Sequence, residues 1–299
     1  MRDKRLTEQR NPRSSGIDLL SPLEIVDLIN QEDREVAVAV GREREAIARA
    51  MELAVEAFRS GGRLIYVGAG TSGRLGVLDA SEMPPTFGTD PEMVQGVIAG
   101  GYGALVRAQE GAEDSPEDGG EALDAREVGP GDLVLGIATS GSTPFVHGAL
   151  AHARLRGART GLLICTHPDE ELREVHDVVI APLVGPEVIT GSTRMKAGTA
   201  TKMVLNTITT GAMVLLGKVF GNLMVDLQVT CAKLQDRGER ILMETLEVER
   251  ERATELLKEA GGSVKVALVM GHRGVSRDEA LELLSRSGGV VASILGEGP

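Results

Sequence analysis

Aromatic residues make up only 2% of this 299-residue chain, and tryptophan is absent. Without aromatic platforms on which bases can stack, single-stranded nucleic acid is a poor partner. The formal charge of −12 points the same way, because a nucleic-acid backbone needs a cationic surface. Cysteine is scarce too. Cys165 and Cys231 stand far apart and in no C-x-x-C or nucleophile signature, which excludes a disulfide framework and fits a reducing, cytoplasmic compartment. No run of about 18 apolar residues exists, so no membrane span is predicted. The opening MRDKRLTEQRNPRSSG is charged and lacks the apolar stretch of a signal peptide, and it reads as a loose arm. The five histidines, His147, His152, His167, His176 and His272, fall into neither H-E-x-x-H nor triad spacing, and no metal site is predicted.

What is abundant is glycine, at 38 residues without a collagen-like period. Such glycines mark turns, helix ends and places where backbone approaches a ligand. The length suggests about two domains. Ser21-Pro22-Leu23-Glu24 forms a capping box, predicting a short helix to about Asn30, with a longer one from about Glu32 to Ser60. Five short apolar runs then read as strands: RLIYVG (63–68), MVQGVIAG (93–100), the start of DLVLGIATSG (132–141), TGLLICT (160–166) and DVVIAP (177–182). Helical stretches between most of them predict an α/β fold, a parallel sheet covered on both faces. After Thr193 no further strand is expected. Residues 195–217 read as a helix apolar nearly all round, and three short helices with glycine stops predict a small C-terminal bundle. The division expected is an arm with helices over 1–60, an α/β domain over 61–225 and a helical subdomain over 226–299.

The first strand runs into Gly68-Ala69-Gly70-Thr71-Ser72-Gly73, a formal G-x-G-x-x-G. A dinucleotide site would need an acidic residue near the end of the second strand, but that strand ends Val97-Ile98-Ala99-Gly100-Gly101. A P-loop would need Lys-Ser/Thr where Arg74-Leu75 stands. A tight strand–helix turn with no ligand is the third reading. The third strand leads into a second loop of small hydroxyls, Thr139-Ser140-Gly141-Ser142-Thr143-Pro144, again ahead of a helix. Hydroxyls, backbone N–H groups and helix N-termini gathered at one sheet edge suit a small phosphate monoester, even on an acidic protein.

The paired loops resemble the sugar isomerase fold, a flavodoxin-like domain. DASEMPPTFG (79–88), EGAED (110–114) and GPEVITGSTRMKAGTATK (185–202) narrow the likeness. From about Ile17 onward the chain resembles the N-acetylmuramic acid 6-phosphate etherases, a family related to glucokinase regulatory protein. The resemblance implies a lyase that releases D-lactate from a phosphorylated amino sugar during recycling of peptidoglycan, as a homodimer and with no cofactor. It implies Glu82 and Glu113 as the catalytic pair. Gly70, Thr71, Ser72, Gly73, Ser140, Ser142 and Thr143 become substrate-binding candidates, with Arg194 and Lys196 for the lactyl carboxylate or the phosphate. It also implies an arginine within the second loop, where Ser142 stands instead. The Met83-Pro84-Pro85 flank predicts an apolar setting for Glu82 after the end of a helix, whereas Glu113 sits in an acidic run. By themselves both would read as ordinary surface glutamates.

Overall fold

The computed structural model describes residues 5–227 and 232–296; Cys231 lies outside them. Two compact units divide the chain, 1–81 with 91–209, and 82–90 with 210–299.

The first unit opens with helices α1 (Pro22–Arg42) and α2 (Arg44–Arg59). The capping box at Ser21 and Glu24 forms as expected, but α1 does not stop at Asn30. It continues because Glu32, Val36, Ala39 and Val40 repeat at helical spacing and are all buried. The turn that separates α1 from α2 falls at Glu43 instead.

The five expected strands are present: β1 (Leu64–Gly68), β2 (Val94–Ile98), β3 (Leu133–Ile137), β4 (Arg159–Leu163) and β5 (Val178–Ile180). Among the described residues they form one parallel sheet in the order β2-β1-β3-β4-β5. This is a flavodoxin-like order, in which the direction of winding reverses between β1 and β3. Gly68 pairs with Ile98 on one side and Ile137 on the other, so the carboxyl ends of three strands lie level. The helices interleaved with them are α3 (Gly70–Phe87), α4 (Gly103–Val106), α5 (Pro116–Asp124), α6 (Pro144–Leu155), α7 (Glu170–Val175) and α8 (Lys196–Leu215). On one sheet face Ile65, Val67, Val134 and Leu162 pack with Val146 and Leu150 of α6 and Leu123 of α5. On the other, the Tyr66 hydroxyl donates to Asp79 Oδ2 of α3 at 2.9 Å, and Thr209 of α8 donates to Asp79 Oδ1 at 3.3 Å. Burial raises the Asp79 carboxyl above its usual range despite these bonds.

Two further expectations about helices need correction. α3 does not end before Glu82; it runs through Pro84 and Pro85 to Phe87. The Gly88 N–H closes the final turn on the Pro84 carbonyl at 2.9 Å. α8 is not apolar all round. Ala197, Ala200, Val204, Leu205, Ile208, Ala212 and Met213 form a buried stripe, while Val214 and Leu215 are about half exposed.

The second unit contains a minimal hairpin that the sequence pattern did not predict, β6 (Val219–Phe220) with β7 (Leu223–Met224). Two-residue strands carry too little alternation to be read. Helices α9 (Ala232–Leu246), α10 (Arg250–Glu259), α11 (Val264–Arg273), α12 (Arg277–Arg286) and α13 (Ala292–Leu295) follow. α11 is the core of this unit, buried on every side from Val264 to Met270. Even Lys265 is folded in, its Nζ donating to the Gly217 carbonyl at 2.8 Å. No described helix is long and apolar enough to cross a membrane.

Candidate functional site

A cavity of about 480 Å³ opens in the first unit, where the loops after β1 and β3 meet. It sits at the carboxyl edge of the sheet where the winding reverses, the position at which open α/β sheets bind ligands.

The first wall is the turn between β1 and α3. Steric closeness accounts for two of its glycines. A Cβ on Gly68 would lie 2.6 Å from the Gly73 nitrogen, and one on Gly73 would lie 2.6 Å from Ile98 Cγ1. The tightness of the turn thus accounts for glycine at 68 and 73, and Gly73 does not line the cavity. Gly70, Thr71 and Ser72 do. Arg74 is not part of this lining; it donates to the carbonyls of Ala104 and Leu105 at 2.6 and 2.9 Å.

The second wall is the loop between β3 and α6. The Gly141 N–H donates to the Ala138 carbonyl at 2.7 Å, and His147 Nε2 lies 2.9 Å from the Gly141 carbonyl, so the loop is braced by the helix it precedes. Ser140 and Ser142 share a hydroxyl–hydroxyl contact of 3.3 Å. Thr143 occupies the N-cap position of α6 with no cap bond from its side chain, and Pro144 fills the first helical position. Ser140, Ser142 and Thr143 all line the cavity.

The third wall carries Glu113 and Asp114. The Phe145 N–H of α6 donates to the Glu113 carbonyl at 3.0 Å. α5, just downstream, presses against α6 so closely that a Cβ on Gly119 would come within 2.1 Å of the Phe145 carbonyl oxygen. Glu113 is exposed on this braced segment, beside the second hydroxyl loop.

The fourth wall is the segment 191–193, which leads into α8, and the N-terminal arm lies on it. The loose-arm expectation was wrong for the described part. Thr7, Asn11 and Ser14 are buried. The Gly191 N–H donates to the Thr7 carbonyl at 3.0 Å, and Ser14 Oγ donates to the Val188 carbonyl at 2.7 Å. Asn11 Nδ2 donates to Glu32 Oε2 at 2.7 Å, and Arg13 pairs with the same carboxylate. The arm brings Arg5 and Glu8 into the lining, two residues that sequence reasoning missed. Arg5 Nη1 donates to Ser142 Oγ at 3.3 Å.

Lys196 has a different task from the one expected. It is 1% exposed, and its Nζ lies 2.7 Å from Glu32 Oε2, inside the network that holds the arm. Its backbone N–H and that of Ala197 donate to Glu187, each at 2.9 Å, which fixes the start of α8. Arg194 is exposed and outside the cavity lining; Thr193 faces the cavity instead. Glu82 is also exposed, whereas Met83 beside it is buried; Pro84 is partly buried and Pro85 exposed. Glu82 belongs to the second unit and Glu113 to the first. Cys165 offers no nucleophile, because burial, with the Glu187 charge adding to it, pushes its thiol up to about 12. Among the described residues no group of three His, Cys, Asp or Glu could hold a metal ion.

Residues 46–154 match the family model of the glucokinase regulatory protein N-terminal SIS domain. An N-acetylmuramic acid 6-phosphate etherase of Salinibacter ruber is 58% identical over 264 residues, covering 88% of this chain and 85% of the relative. One of Rippkaea orientalis is 53% identical over 270 residues, covering 90% and 88%. This chain belongs to the N-acetylmuramic acid 6-phosphate etherase family. Among solved structures, phosphoheptose isomerase of Neisseria gonorrhoeae superposes with a TM-score of 0.49 at 18% identity, over 65% of this chain and all of that one. The α/β unit of this chain is accordingly a sugar isomerase domain.

Proposed function

We propose that the chain cleaves the D-lactyl ether of N-acetylmuramic acid 6-phosphate, yielding N-acetylglucosamine 6-phosphate and D-lactate. The observation that carries this reading is a cavity with two hydroxyl-bearing loops and Glu113 on its walls, in a chain 53–58% identical to etherases. Thr71, Ser72, Ser140 and Thr143, with the N-termini of α3 and α6, offer neutral donors to a phosphate monoester.

The chemistry explains why carboxyl groups suffice. An alkyl ether resists direct hydrolysis because alkoxide leaves poorly. Opening the sugar ring makes C1 an aldehyde, so the C2 proton becomes acidic and the C3 ether lies β to a carbonyl. A base removes the C2 proton, the C3–O bond breaks, and an acid protonates the departing oxygen, which leaves as the hydroxyl of D-lactate. Water then adds its oxygen to C3 and a proton returns to C2. Each proton transfer gains typically 10²–10⁴-fold from a placed carboxyl group, and no redox step occurs. Glu113 is the base and Glu82 the acid in this proposal. It makes the enzyme a cofactor-independent carbon–oxygen lyase, serving peptidoglycan recycling in the cytoplasm. A homodimer is proposed with it, supported by the exposed apolar side chains Leu23 and Val26 on the first turns of α1 and Leu19 just before it.

The test is direct: purified chain is incubated with N-acetylmuramic acid 6-phosphate, and D-lactate is measured enzymatically. Equimolar lactate and N-acetylglucosamine 6-phosphate are expected. An interconverted sugar phosphate without lactate would make it an isomerase, and bound but unconsumed sugar would make it a sensor.

A further inference from the structure

Among the described residues, the charged side chains lining the cavity are three acids, Glu8, Glu113 and Asp114, and one base, Arg5. Their formal sum is therefore −2, from one positive and three negative groups. A phosphate monoester brings a further −1.5 to −2 or so at neutral pH. Hydroxyls and helix N-termini can hydrogen-bond it, and a cation in the wall would offset the acidic charges around it.

Arg5 is placed for that work. Its Nη1 donates to Ser142 Oγ at 3.3 Å, and Ser142 Oγ lies 3.3 Å from Ser140 Oγ. The guanidinium thus meets the second hydroxyl loop, just ahead of the N-terminus of α6. Its five N–H donors form a planar fork that matches the oxygens of a phosphate group. The backbone that carries it is fixed two residues further on. Thr7 is 1% exposed and its carbonyl is held by the Gly191 N–H, while Asn11 and Ser14 anchor the rest of the arm. Arg5 is accordingly part of the built wall of the cavity.

We propose that Arg5 is a substrate-binding residue whose guanidinium pairs with the phosphate of the bound sugar. This rests on the functional reading above, and the test separates the two. Calorimetric titration would use N-acetylglucosamine 6-phosphate, which has the phosphate and no lactyl group, and N-acetylmuramic acid, which has the carboxylate and no phosphate. Arg5→Ala should weaken the first by about ten- to a hundredfold, the loss expected for a charge-assisted bond, and leave the second little changed. Arg5→Lys, which keeps the charge and loses the fork, should fall between. The salt dependence of binding should be shallower in Arg5→Ala, a readout that a merely looser arm would not move. Unchanged affinity of Arg5→Ala for the sugar phosphate would overturn the assignment, and so would a loss confined to N-acetylmuramic acid, which would place Arg5 on the carboxylate. If the unaltered chain bound no sugar phosphate at all, the functional reading itself would fall, and this assignment with it.

Discussion

Replacing Lys196 by methionine should unfold the protein at a markedly lower temperature. Glu32 is fully buried and Lys196 is 1% exposed, with 2.7 Å between carboxylate and ammonium. Removing one partner of a buried pair leaves the other charge uncompensated, at a cost of about 3–5 kcal/mol. Asn11 and Arg13 still reach Glu32 in the variant, so the lower end, about 3 kcal/mol, is expected. At about 2–4 °C per kcal/mol for a domain of this size, the melting temperature should fall by roughly 10 °C in scanning calorimetry. The acid limb of the stability curve should change as well. Burial raises the Glu32 carboxyl, but hydrogen bonds from Lys196, Asn11 and Arg13 outweigh burial and hold it below the ordinary glutamate value of 4.5. A carboxyl depressed in the folded state stabilises above its unfolded pKa, and that contribution is lost as pH falls through the folded one. The parent should therefore lose stability below about pH 4.5, and Lys196→Met should lose less over the same interval. A melting temperature within about 1 °C of the parent, together with a raised KM, would refute this reasoning and return Lys196 to the role of substrate ligand.

Three further outcomes follow from the site. Glu113→Gln should abolish both lactate release and exchange of the C2 hydrogen in heavy water, whereas Glu82→Gln should stop release while sparing some exchange; the opposite pattern by NMR would reverse the two roles. Ser72→Ala and Ser140→Ala should each weaken sugar-phosphate binding by about 1.5–3 kcal/mol, and unchanged affinity in both would remove these loops from the site. Gly73→Ala should destabilise by about 1–3 kcal/mol in denaturant titration, because the new methyl meets Ile98 Cγ1 at 2.6 Å and the Gly68 oxygen at 2.7 Å; a stability equal to the parent would contradict the tight turn.

The sheet was legible because buried parallel strands are short, continuous apolar runs bounded by glycine, and all five appear where such runs occur. The two hydroxyl loops were legible for the same reason, since each directly follows a strand. The arm was not. Thr7, Asn11 and Ser14 are polar, without periodicity, and are buried only through partners far along the chain, such as Val188, 174 residues from Ser14. Lys196 misled in a related way. A lysine at a helix start reads as a surface cation, because lysine is almost never buried unless paired, and its partner Glu32 lies 164 residues away. The continuation of α1 past Asn30 depended on which face of that helix is buried, and a local pattern does not settle that. Glu113 looked like one charge in a solvated run; only the α5–α6 contact and the bond from Phe145 show it held beside the hydroxyl loop.

The central claim is that the C3–O bond breaks on the sugar side by elimination and water re-adds there. A single turnover assay in ¹⁸O-labelled heavy water, read by mass spectrometry, tests it. Elimination and re-addition put ¹⁸O at O3 and deuterium at C2 of N-acetylglucosamine 6-phosphate, with unlabelled oxygen in the D-lactate hydroxyl. Label in the lactate hydroxyl, or sugar product without C2 deuterium, would contradict it.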